Sequence, residues 1–190
     1  KFFPEYPDQN LRFQNGNPVR LEHMAQLTAG FEEVYDLDSI EDRVLRGYIS
    51  FSELFNSLRS VGLKFAPGSE WEYGDTAFIL LGEVIRRVSG LTFGEYVQAN
   101  LFAPAGLKGI YVGPPKRGSI SRSYIVNANG RSDSFEEYGV VDPHFDDHFS
   151  DGNIFSTGRG LAEWLKSLVD GKVLSSGSLA QMTKPSTASI

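Results

Sequence analysis

The stretch Trp71-Glu-Tyr-Gly-Asp-Thr-Ala-Phe-Ile-Leu-Leu-Gly-Glu-Val-Ile-Arg-Arg-Val-Ser-Gly90 (WEYGDTAFILLGEVIRRVSG) decides how this chain is read. Ala77, Leu80, Leu81, Val84, Ile85 and Val88 recur at i, i+3, i+4 and i+7. That spacing gathers apolar side chains on one face of an α-helix, and Gly90 provides the stop. The predicted helix covers 76–89, and an apolar face this wide puts it at the centre of a core. Asp75 stands at its start, where a carboxylate can accept from unpaired backbone N–H groups and suits the helix dipole. Tyr73, two residues earlier, has no comparable local task. Just upstream, Phe65-Ala-Pro-Gly68 reads as a turn, because Pro fixes φ and Gly permits a positive one.

Outward from this helix the periodicity weakens but persists. A helix is predicted over Leu21–Leu27, with Leu21, Met24, Ala25 and Leu27 at helical spacing and Gly30 as its stop. Another, capped by Ser50 or Ser52, runs through Phe51, Leu54, Phe55 and Leu58 to Gly62. A third runs from Thr92 or Phe93 to Asn100, before Pro104-Ala-Gly106. Ser156-Thr157 introduces a helix through Leu161, Trp164, Leu165 and Leu168, and Ser178 introduces a last one toward Met182. From Ile110 to Phe149 the character changes: Pro114-Pro115, alternation around Ser123 to Val126, and an Asn129-Gly130 turn predict two to four short strands. The expected organisation is a single domain or part of one. A mainly helical portion would cover about 1–109 and 156–185, and a β-containing excursion about 110–155.

With 190 residues and 41% hydrophobic content the chain can bury a core. A net charge of -6, with no basic cluster, argues against a nucleic-acid partner. Cysteine is absent, which excludes disulfides, thiolate metal sites and a Cys nucleophile. Apolar runs such as AFILL at 77–81 fall far short of the roughly 20 residues that span a bilayer. The chain opens at Lys1 inside what reads as ordered sequence, so the expectation is a processed or excised piece.

Asp142-Pro-His-Phe-Asp-Asp-His-Phe-Ser-Asp151 holds two of the three histidines. His144 and His148 have i, i+4 spacing, which on a helix would offer two imidazoles to a transition metal, with Asp146 or Asp147 adding oxygen. A solvated acidic loop is the plainer reading, since Pro143 and the interleaved aromatics oppose a regular helix; no metal and no cofactor is expected. No G-x-S-x-G elbow, P-loop or dinucleotide fingerprint is present.

Four ordered stretches carry a family resemblance. Residues 65–90 resemble the second motif region of penicillin-recognising serine hydrolases, the class C β-lactamase, DD-peptidase and esterase group. That region has a Pro-Gly turn, Tyr-x-Asn, and a helix with Leu-Leu-Gly and Val-Ser-Gly. Leu21-Glu-His-Met-Ala-Gln-Leu-Thr-Ala-Gly30 is similar to the family's L-L-T-H-T-S-G helix, and Leu101-Phe-Ala-Pro-Ala-Gly-Leu107 to its I-F-x-P-L-G-M. Asp151-Gly-Asn-Ile-Phe-Ser-Thr157 with Leu161-Ala-Glu-Trp164 is similar to its G-G-x-x-S-T-x-x-D-L-x-x-W. The resemblance covers roughly residues 1 to 185. It implies an α/β family fold of which this chain is mainly the helical part with a few short strands.

The resemblance also implies roles. Tyr73 would be the proton-transfer residue of an acyl-transfer reaction on a small-molecule or peptide substrate, and Asp75 would stand where the family has Asn. Phe31, in the Thr28–Phe31 turn, and Gly152 and Asn153, in the Asp151–Asn153 turn, would line the substrate cleft. Relatives commonly act outside the cytoplasm, so a periplasmic or secreted location is implied. An ionised Asp only accepts hydrogen bonds and raises the pKa of a neighbouring phenol, which favours ester or peptide hydrolysis over β-lactam hydrolysis. Gly74 replaces the family's usual Ser. None of the seven lysines has a Ser three residues before it, so these 190 residues contain no S-x-x-K motif; Lys-Thr-Gly and His-x-Gly are missing too. The chain alone is therefore expected to be inactive. Two alternatives stand beside this: a non-catalytic binding or interaction module, and one piece of a split enzyme that associates through the surface left by the missing segments.

Overall fold

In a computed structural model describing residues 2–6, 11–14, 16–37, 50–113, 121, 124–127, 130–133 and 150–185, Thr76–Ser89 forms the longest helix. In chain order the helices are α1 (Leu21–Ala25), α2 (Phe51–Leu58), α3 (Thr76–Ser89), α4 (Phe93–Val97), α5 (Gly158–Val169) and α6 (Ser176–Met182). A 3-10 turn, Val34–Asp36, lies between α1 and α2, and a π turn, Gln98–Phe102, continues α4. The strands are β1 (Ile110–Val112), β2 (Tyr124–Asn127), β3 (Gly130–Asp133) and β4 (Ile154–Ser156). The described residues are thus mainly helical with two small antiparallel sheets.

Several ends follow from local chemistry. Ser50 caps α2 through a reciprocal box with Glu53, and Thr92 caps α4 with Glu95 in the same way. Gly90 ends α3 at φ 74°, as the sequence predicts. Two boundaries differ from expectation. α1 stops at Ala25 and not at Leu27, because Leu27 itself adopts φ 57°. Its N–H donates to Met24 C=O while Thr28 N–H donates to His23 C=O, which closes the helix in a Schellman pattern without glycine. α6 is capped by Ser175, whose hydroxyl accepts from Ser178 N–H, so Ser178 lies inside the helix and not at its cap.

The main core gathers Tyr6, Met24, Val34, Leu54, Phe55, Leu58, Ile79 and Leu80 among others, so α1, α2, α3 and the 3-10 turn share one apolar interior. A second cluster of Val97, Phe102 and Ile110 packs with Trp164 of α5. On α3, Val88 is exposed and does not join the core face, whereas Glu83 is buried. Its carboxylate accepts from Arg86 Nε at 2.6 Å and Arg87 Nε at 2.6 Å, and Arg87 reaches on to Glu5.

β1 pairs with β4, Tyr111 opposite Phe155, and Gly113 N–H donates to Asn153 C=O at 3.2 Å. The excursion after β1 therefore leaves and returns at one place. β2 and β3 pair with Asn127 opposite Gly130. Where the chain returns, Ser150 seats on α3: its hydroxyl donates to Phe78 C=O at 2.7 Å, directly over Gly82. His144, His148, Asp146 and Asp147 lie outside the described residues.

Candidate active site

Two segments are laced together by backbone hydrogen bonds before the site is reached. Lys64 N–H donates to Gly30 C=O at 2.7 Å, Gly68 N–H to Thr28 C=O at 2.8 Å, and Glu72 N–H to Leu27 C=O at 3.1 Å. Gly30 permits this approach: a Cβ there would fall 2.4 Å from the Phe65 carbonyl oxygen, and its φ is 81°. The lacing brings the Tyr73–Asp75 turn alongside Phe31.

Asp75 occupies the cap position of α3, yet its backbone is already helical and its side chain makes no capping bond. The local reading of that carboxylate as a helix cap is corrected on this point. Its own N–H donates to Glu33 Oε2 at 2.6 Å, and Tyr35 N–H donates to Glu33 Oε1 at 3.3 Å. With Glu33 serving the backbone, Asp75 turns toward Tyr73, whose hydroxyl donates to Oδ1 across a long 3.4 Å. Tyr73 is 68% exposed. Beside them the buried Thr76 hydroxyl accepts from Val34 N–H at 2.8 Å and donates to Glu32 C=O at 2.8 Å. From the other side, Tyr35 donates its hydroxyl to Asp151 Oδ2 at 2.7 Å.

Between these segments lies a small open cleft lined by Phe31, Glu33, Phe65, Tyr73, Gly74 and Thr76 among others. Its electrostatics are negative. The Tyr73 phenol is raised above its ordinary pKa chiefly by the Asp75 charge. Burial raises Glu33 above the usual carboxylate range, with the Asp75 charge adding to it and the hydrogen bonds from Asp75 and Tyr35 opposing it. Burial also raises Tyr35, reinforced by Asp151. Lys64 pairs with Glu72 at the edge. As arranged, Tyr73 stays protonated at neutral pH and serves as a hydrogen-bond donor; a base role requires a cation brought to it.

The structure brings Phe31, Tyr73 and Asp75 into one neighbourhood. Gly152 is exposed and Asn153 is 1% exposed; neither lines this cleft, although their turn is tied to it by the Tyr35–Asp151 bond. Sequence reasoning missed Glu33, Thr76 and Tyr35. The consecutive acids Glu32-Glu33 directly after the Thr28–Phe31 turn were the available signal. Among the described residues no group of three or more His, Asp and Glu side chains could hold a metal ion, and no helix is long and apolar enough to cross a membrane.

The family described as Beta-lactamase matches residues 3–189. A Bacillus subtilis relative named as a penicillin-binding protein, PbpX, is 26% identical over 93% of this chain and 42% of its own length. Esterase EstB of Burkholderia gladioli is 32% identical over 50% of this chain and 24% of its own length. Among solved structures, a penicillin-binding protein from Bacillus halodurans superposes with a TM-score of 0.73 at 24% identity, over 90% of this chain and 52% of that one. The chain thus spans about half the length, or less, of the proteins it matches. The fold is that of the β-lactamase and penicillin-binding proteins, and the chain belongs to the beta-lactamase family.

Proposed function

We propose that this chain is the central, mainly helical part of a penicillin-recognising-type serine hydrolase that performs acyl transfer on an ester, peptide or β-lactam substrate, with Asp75 favouring the first two. The observation that carries the reading is the shared cleft of Phe31, Tyr73 and Gly74, with the exposed Tyr73 hydroxyl set on Asp75. In this reading Tyr73 moves the proton between the attacking serine, the leaving group and water, and Asp75 holds the phenol in place. The Asp151–Asn153 turn adjoins this cleft only through the Tyr35–Asp151 bond.

A phenol with an ordinary pKa near 10 becomes an effective base only beside a cation, and Asp75 works in the opposite direction. Such a cation, like the nucleophile, is absent from these 190 residues as an S-x-x-K motif. The chain alone is therefore inactive in acyl transfer. Incubation with a fluorescent penicillin and a fluorophosphonate, read by intact mass, gives no adduct. A stoichiometric adduct on any serine would overturn the assignment of roles.

One observation supports a second reading, in which the chain works as one piece of a larger assembly. Leu161, Leu165 and Val169 of α5 are 51%, 56% and 76% exposed, and they fall on one helical stripe next to the face that packs Trp164 and Leu168. Sedimentation at increasing concentration, with and without Leu165→Lys, distinguishes the cases. Concentration-dependent association lost in the variant supports assembly through this stripe; a compact monomer in both removes it.

A further inference from the structure

We infer that Glu33 is a positioning residue for the Tyr73–Asp75 turn: its carboxylate takes the Asp75 amide, fills the space above Gly74 and leaves the Asp75 side chain to face Tyr73. This rests on the roles given to Tyr73 and Asp75 above.

Three independent features of the geometry carry it. First, the 2.6 Å bond from Asp75 N–H to Glu33 Oε2 spans 42 residues and fixes the backbone of the residue that starts α3, whose own side chain makes no capping bond. An acid at such a position ordinarily folds its carboxylate back onto backbone N–H groups of the first turn. Here a second carboxylate serves the turn from outside, and Asp75 points at a phenol instead. Second, a Cβ at position 74 would lie 2.8 Å from Glu33 Oε2. The absence of a side chain at 74 thus leaves the Glu33 carboxylate in its present place, and a larger residue there would displace it. Third, Glu33 is itself held by the Tyr35 N–H at Oε1, so its carboxylate is fixed at both oxygens. Tyr35 is anchored in turn by Asp151. The charged and phenolic groups around Glu33 are Asp75 and Tyr73 from the turn before α3 and Tyr35 from the 3-10 turn, with Glu72 at the cleft rim paired to Lys64 and Asp151 reaching Tyr35 and Tyr73. Apart from Lys64, which is taken by Glu72, these groups are acidic or phenolic, so the turn carries two carboxylates side by side, one on the Asp75 amide and one on Tyr73.

The test uses the 190-residue chain labelled with 15N and with 13C at the tyrosine Cζ, and needs no catalytic activity. In the unsubstituted chain the Asp75 amide proton is shifted downfield and moves with the ionisation of a carboxylate whose midpoint lies above the ordinary Glu range. The Tyr73 Cζ midpoint lies above that of a free tyrosine. Glu33→Gln keeps one acceptor and removes the charge, so the Asp75 amide loses its titration and the Tyr73 midpoint falls. Glu33→Ala frees the Asp75 amide, and the Asp75 carboxylate turns back to cap the helix; the amide shift moves upfield and Tyr73 titrates close to a free tyrosine. Gly74→Ser displaces the Asp75 amide signal further in the unsubstituted background than when combined with Glu33→Ala, where only the nearest-neighbour shift remains.

An Asp75 amide that ignores pH across the carboxylate range, or a Tyr73 midpoint unchanged by both Glu33 substitutions, overturns the inference. The amide titration of the unsubstituted chain decides the matter even where a variant does not fold. A penicillin adduct on this chain would remove the proposed role of Tyr73 while leaving every one of these shifts in place, so the two failures are told apart.

Discussion

Gly82→Ala tests whether the returning chain is seated on α3 as described. An added Cβ would fall 1.9 Å from Ser150 Oγ and 2.6 Å from Ser150 Cβ. The hydroxyl can rotate away, but the Ser150 Cβ cannot, so the segment before β4 must lift off the helix. Overpacking of this kind costs about 1–3 kcal/mol, and the Ser150–Phe78 hydrogen bond lost with it adds about 1 kcal/mol. Alanine returns about 1 kcal/mol through its better helix propensity. The expected net loss is about 2 kcal/mol, which for a domain of this size lowers Tm by about 4–8 °C. Thermal unfolding followed by far-UV circular dichroism measures it. The control is the same substitution in a Ser150→Gly background, where both obstructing atoms are gone and only the propensity gain remains. There Gly82→Ala should stabilise by about 1 kcal/mol. Equal losses in the two backgrounds would refute the reasoning, because they would show that the cost of the methyl group has nothing to do with Ser150.

Two further substitutions probe the interior around the site. Thr76→Val keeps the shape of the side chain and removes the hydroxyl that joins Val34 N–H to Glu32 C=O, leaving two backbone groups without that partner at the start of α3. A loss of about 1–3 kcal/mol in urea unfolding is expected, largely recovered by Thr76→Ser. Glu83→Gln addresses pH: burial works to raise this carboxylate, but Arg86 and Arg87 outweigh it and hold its pKa below the ordinary value. A depressed folded-state pKa means stability that is present above the unfolded value, near 4.3, and lost as pH falls through the folded one. The variant should therefore be less stable at neutral pH and show a flatter acid limb; an acid limb as steep as that of the unsubstituted chain counts against the buried ion pair.

The sequence yields those elements whose cause is local. Periodicity with Gly90 defines α3, and the Ser50/Glu53 and Thr92/Glu95 boxes start α2 and α4, because each pattern is written within a few residues. The end of α1 escapes it, since Leu27 takes a left-handed conformation usually given to glycine while its neighbours are held by hydrogen bonds to residues 64–72. Glu83 escapes it as well: a charge on an apolar helix reads as solvent-facing until the two arginines and Glu5 are seen to close around it.

The site divides along the same line. Tyr73 and Asp75 are noticeable because they adjoin a strong helix, and their roles come with the family resemblance carried by four separate stretches. What could not be read is why Asp75 is free to meet a tyrosine. A capping aspartate and a phenol-facing aspartate have the same one-letter context, and the carboxylate that meets the Asp75 N–H comes from 42 residues away, in a segment that follows the hydrogen bonds lacing Leu27–Gly30 to Lys64–Glu72. The two apparent irregularities of the motif, Gly74 and Asp75, both meet Glu33. Glu33 occupies the space that a side chain at 74 would need and accepts the Asp75 N–H. A departure from a family pattern at adjacent positions is thus better explained by looking for the third group that fits against both than by weighing each substitution alone.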